Sequence, residues 1–92
     1  MKFLSKLLKV AANEKRLHIL KVLMEKRTME ISDVALALNV PYKTAARNLK
    51  ILERFDFLES YFQNGNVYYT LRDNNNLYFN TVILEMIKRS PE

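Results

Sequence analysis

Between Leu58 and Leu71 the apolar residues of the chain alternate, while on either side they recur at helical spacing. At the middle of that stretch, FLESYFQNGNVYYTL, stands Asn64-Gly65. This pair tolerates the two positive φ angles of a type I′ turn, whose twist matches that of the flanking strands. Closing a hairpin there pairs Phe62 with Val67, Ser60 with Tyr69 and Leu58 with Leu71. One face becomes almost wholly apolar, and the other carries Glu59, Tyr61, Gln63, Asn66, Tyr68 and Thr70. A lone two-stranded ribbon is marginal in water, so the apolar face must pack on something. The expected fold is mainly α with a small β-hairpin, which a short strand near Thr28–Glu30 can join.

Phe3, Leu4, Leu7 and Leu8 predict a first helix. Asn13 is placed to cap a second, which carries Leu17, Leu20, Val22, Leu23 and Met24 and breaks at Arg27 and Thr28. Ile31, Val34, Ala35 and Leu38 predict a short third helix with Asp33 in its first turn. Asn39 suits a left-handed helix end, with apolar Val40 after it. Pro41 opens a fourth helix, where its missing N–H is harmless, and that helix buries Ala45, Leu49 and Leu52 before ending near Phe55. After Asp73-Asn74-Asn75-Asn76 a last helix runs from about Leu77 to Lys88, apolar most of the way round. A domain this small covers only one side of such a helix. The excess stripes, Phe3, Leu4, Leu7 and Leu8 on the first helix and Leu77, Tyr78, Val82 and Met86 on the last, therefore predict a homodimer interface.

Ninety-two residues with 49% apolar content fit a single domain spanning 1–92. Without Cys there is neither a disulfide nor a thiolate metal site, and a single Gly rules out a P-loop or a Gly-rich dinucleotide turn. The one His, His18, cannot supply the three or four ligands that a transition metal usually needs. No Ser/His/Asp spacing stands out, so neither an enzyme nor a cofactor is expected. Charges interrupt the N-terminal MKFLSKLLKVAANEKR too often for a signal peptide or a bilayer span, and a cytoplasmic protein with no membrane partner is expected.

The net charge of +5 is uneven: residues 1–27 hold eight Lys/Arg against two Glu, and 42–54 add Lys43, Arg47, Lys50 and Arg54 against Glu53. A basic front favours a polyanionic partner, although an ordinary solubilising surface has the same composition. The third and fourth helices, joined by a tight turn at Asn39–Pro41, describe a helix-turn-helix, and the hairpin that follows adds a wing. On the fourth helix Tyr42, Lys43, Ala46, Arg47 and Lys50 point outward. Arg47 or Lys50 can reach guanine or phosphate, Tyr42 and Thr44 can bond phosphates near the helix start, and small Ala46 permits close approach. Gln63, Asn64 and Asn66 at the wing tip offer hydrogen bonds without charge.

The run VAANEKRLHILKVL resembles the opening helices of the ArsR-type winged-helix regulators. ISDVALALNVPYKTAARNLKILERFDFLES resembles their helix-turn-helix, and NVYYTL their second wing strand. The likeness covers nearly the whole chain, with MarR-type regulators as near neighbours. It implies a dimeric, sequence-specific, double-stranded DNA-binding regulator, a repressor before an activator, that reads the major groove with helix 41–55 and pairs its first and last helices across the dimer. The chain departs from the pattern in three ways: no metal-sensing Cys or His cluster, Pro41 where the family has a Ser or Thr cap, and a wing tip without Arg or Lys. The uncharged wing keeps open an alternative, a winged-helix module that binds proteins in a larger assembly. The effector, if any, cannot be read from the residues.

Overall fold

The computed structural model describes residues 1–72 and 78–91. In chain order these form α1 (Lys2–Ala11), α2 (Glu14–Lys26), β1 (Thr28–Glu30), α3 (Ile31–Leu38), α4 (Tyr42–Arg54), β2 (Leu58–Gln63), β3 (Asn66–Leu71) and α5 (Tyr78–Lys88). The strands make one antiparallel sheet in the order β1-β3-β2. The expected pairs Leu58–Leu71, Ser60–Tyr69 and Phe62–Val67 are all present, and β1 sets Met29 opposite Tyr69. Together, the helix-turn-helix and the hairpin after it make a winged helix-turn-helix domain.

Local chemistry sets the ends of the elements. Asn13 caps α2, its Oδ1 accepting the Arg16 backbone N–H at 3.0 Å. At the end of α3, Asn39 is left-handed (φ 55°, ψ 51°), its N–H donates to Leu36 O, and Val40 N–H reaches back to Ala35 O. This paired closure turns the chain sharply toward α4. The same closure recurs at the end of α4, where Asp56 (φ 65°) donates its N–H to Glu53 O and Phe57 donates to Leu52 O. Asn64 (φ 53°) and Gly65 (φ 83°) form the hairpin turn.

The core gathers Leu20 and Leu23 from α2, Val34 from α3, Leu49 and Leu52 from α4, and Phe57, Leu58 and Tyr69 at the base of the wing. Each such side chain contributes roughly 1.5–3 kcal/mol by leaving water. Burial foremost, then the nearby Glu53 carboxylate and Tyr42 phenol, raise the pKa of the Tyr69 phenol above its ordinary value. Ile19, absent from the expected apolar set, is also fully buried.

Two expectations need correction, and others fall outside the described residues. Pro41 is the N-cap of α4, extended at φ −60° and ψ 150°, and the helix proper starts at Tyr42. Its carbonyl accepts the Ala45 N–H at 3.1 Å, but a proline side chain has nothing with which to cap. The apolar hairpin face is only partly covered: Phe62, four residues beyond buried Leu58, is 72% exposed, while its cross-strand partner Val67 is half-buried against the core. Residues 73–77, with the Asn cluster and Leu77, lie outside the described part, and α5 is described from Tyr78.

Candidate nucleic-acid interface

Ala45, Asn48, Leu49 and Leu52 turn α4 toward the core. On the opposite side Lys43, Arg47, Lys50 and Arg54, at i, i+4, i+7 and i+11, line up as one exposed cationic stripe. From Lys43 to Arg54 the helix rises about 16 Å. Among the described residues no ion pair involves any of the four. Two acids close to the stripe in sequence are engaged elsewhere: Glu53 accepts the Ser60 hydroxyl at 2.6 Å, and Asp56 pairs with Arg72 at 3.6 Å. Tyr42 is exposed, and Thr44 and Ala46 are half-buried beside the stripe. The first turn carries neither an acid nor a side-chain cap, so the positive end of the helix is open to an anion. Arg54 was not among the expected site residues, though its spacing from Lys43, Arg47 and Lys50 was the signal.

At the wing tip Gln63, Asn64 and Asn66 are exposed. Behind them the rings of Tyr61 and Tyr68 stack with centroids 5.4 Å apart. The wing thus presents amides and aromatic edges, without positive charge.

The residues expected at a dimer interface divide. Leu8, Tyr78, Val82 and Met86 are exposed, joined by Phe79, and Leu4 is half-buried. Leu7 is 1% exposed and belongs to the chain's own core, so it offers a partner nothing. Phe3 stacks its ring on Phe55 of the same chain, at 6.3 Å between centroids, and is still 53% exposed. Over α2, between α1 and α5, lies a groove of about 540 Å³ lined by Leu8, Leu17, Ile83 and Met86 among others.

A polar node that the sequence reading missed stands behind α4. Arg16 donates Nε–H to Val10 O at 2.8 Å and a guanidinium N–H to Asn48 Oδ1 at 2.9 Å. Asn48 is 5% exposed and donates its amide to Thr44 O at 3.1 Å. Farther along, Asn80 of α5 donates to Phe55 O at 2.9 Å, just past the end of α4. A polar residue on the apolar face of a helix was the available signal for Asn48. Among the described residues no group of His, Cys, Asp and Glu could hold a metal, and no helix is long and apolar enough to cross a membrane.

By sequence the chain matches no family model and no curated protein. Its fold does match solved structures. The AntR antimony-specific transcriptional repressor superposes with a TM-score of 0.75 at 23% identity, covering 96% of this chain and 73% of that one. The homodimeric winged helix-turn-helix DNA-binding domain of a possible ArsR-family transcriptional regulator from Mycobacterium bovis gives 0.75 at 21%, covering 97% and 82%. The transcriptional regulator HlyU from Vibrio vulnificus gives 0.72 at 26%, covering 96% and 83%. These neighbours are transcriptional regulators, and the ArsR-type likeness read from the residues agrees with them.

Proposed function

We propose that this protein is a dimeric, sequence-specific regulator of transcription, acting in the cytoplasm as a repressor, whose α4 reads the major groove of double-stranded DNA. The observation that carries the reading is the unpaired cationic stripe Lys43–Arg47–Lys50–Arg54 on the second helix of a helix-turn-helix. Arg47, one turn in from the helix start, makes the direct base contact, while Lys43 and Lys50 hold phosphates on either side, helped by Tyr42 and Thr44 near the open helix end. Close-fitting Ala46 lets the helix approach, and Gln63, Asn64 and Asn66 of the wing add uncharged contacts. The apolar stripes of α1 and α5, with Phe3, Leu8, Tyr78, Val82 and Met86 exposed and Leu4 half-buried, join two protomers. Two copies of α4 then enter successive grooves about 34–36 Å apart, and the site is an imperfect palindrome. The homodimeric state of the mycobacterial neighbour supports this arrangement.

The test is selection of bound duplexes from a random pool, followed by binding to the selected and a scrambled duplex at several salt concentrations. Enrichment of a palindrome, with affinity that falls steeply as salt rises, is the expected result. Binding without sequence preference sinks the reading. The exposed aromatic Phe62 and Tyr61 on the uncharged wing would then favour a protein-binding module instead.

A further inference from the structure

Arg16 is half-buried where α2 meets the end of α1 and the inner side of α4. Its Nε–H and one terminal N–H bond the carbonyls of Val10 (2.8 Å) and Lys9 (3.4 Å), both in the last turn of α1. The other terminal nitrogen bonds Asn48 Oδ1 of α4 at 2.9 Å. Asn48 is itself held by its amide on Thr44 O, and the Arg16 backbone by Asn13. Among the described residues no carboxylate pairs with this guanidinium. Neutral oxygens at the negative end of α1 balance its charge. Burial lowers the pKa of Arg16 below its usual value, as removal of a cation from water without a counter-ion must. An apolar residue would avoid that cost but would lack direction. The planar fork sets an angle among three acceptors on two helices, which neither a Leu nor a Lys can do.

Resting on the DNA reading and the dimer proposed above, we infer that Arg16 is a positioning residue for DNA recognition. Through Asn48 it locks the rotation of α4 relative to the end of α1, and so sets the half-site spacing that the dimer accepts. Arg47 is the residue immediately before Asn48 on α4, so rotation of α4 about its axis carries Arg47 off the groove floor. Because α1 carries part of the dimer face, any error in the α1–α4 relation is repeated on both sides of the two-fold axis.

The experiment uses the full chain and duplexes that carry the selected half-sites at the selected spacing and at one and two base pairs more or fewer. The original protein should prefer one spacing. Arg16→Lys and Arg16→Met should each lose about 10-fold at that spacing, the size expected for one charge-assisted hydrogen bond. Affinity for the other spacings and for random duplex should stay the same, and so should the salt slope. Arg16→Lys keeps the charge, so its failure separates direction from electrostatics. Asn48→Ala, which removes the acceptor, should flatten the preference as well; it decides the matter if Arg16→Met does not fold, and an unchanged preference overturns the inference. An Arg16→Lys protein with unchanged spacing preference overturns the inference alone. A salt slope reduced by one unit also overturns it, by making Arg16 a phosphate contact. No spacing preference in the original protein overturns the inference together with the dimeric reading on which it rests.

Discussion

Helices α4 and α5 have the same inner side and opposite outer sides. Each turns apolar residues and one buried Asn, Asn48 or Asn80, toward the domain. Outward, α4 shows four cations, and α5 shows Tyr78, Phe79, Val82 and Met86. An exposed charged face is stable in water alone and gains from a polyanion through counterion release. An exposed apolar face of this extent is not at rest in water and gains from a second apolar face. The outer residues of the two helices thus differ in the kind of partner each would gain from, while the inner ones place both helices in the same way.

The sharpest way to break this contrast is to charge the apolar stripe. Val82→Glu with Met86→Glu should leave the monomer folded, split the dimer in light scattering, and weaken operator binding about 100-fold or more as the second half-site becomes independent. If the double variant remains a dimer, α5 is not the joining face. Next in size is a pair of neighbours on α1. Leu7→Ala should cost about 2–5 kcal/mol of folding stability in denaturant melts, since Leu7 is core. Leu8→Ala, at a residue 55% exposed, should hardly change monomer stability and should act on dimerisation instead. On α4, Arg47→Ala should cost about 1–3 kcal/mol per half-site and relax preference at one base position. Lys50→Ala should weaken all sequences alike and lower the salt slope by about one unit. The smallest effect is expected at the wing, where Gln63→Ala and Asn66→Ala remove no charge and should change affinity by less than about 1 kcal/mol in the same titrations.

The architecture was legible wherever a local signal specified it. Asn13, Asn39 and Asn64-Gly65 each adopt the conformation that their chemistry suggests, and the elements follow between them. The outer face of α4 was legible for a similar reason, because a helix with a clear apolar side leaves its cations only one place to go. What remained hidden was the depth of residues on helices apolar on several sides. Leu7 and Leu8 are adjacent and chemically identical, yet one is core and the other surface. What separates them is how α1 packs on the rest of the domain, α2 above all, and periodicity within α1 does not carry that information. Arg16 and Asn48 were hidden for another reason: they meet across 32 residues of sequence, and neither has a local spacing that points to the other.

The ends of the helices also bear on how readily this chain could be altered. Of the left-handed backbone positions among the described residues, only Gly65 is glycine; Arg27, Asn39, Asp56 and Asn64 carry side chains. Arg27, at φ 74° and ψ −55°, lies near the geometry of a γ-turn that L-residues seldom adopt. It is on neither the cationic stripe nor the apolar ones, and its contact with Thr70 is made by its own carbonyl. A glycine there would relieve roughly 1 kcal/mol of backbone strain, less what the looser unfolded chain takes back. The bend after α2 thus offers a place to exchange backbone strain for chain entropy without touching the exposed faces of α4 and α5.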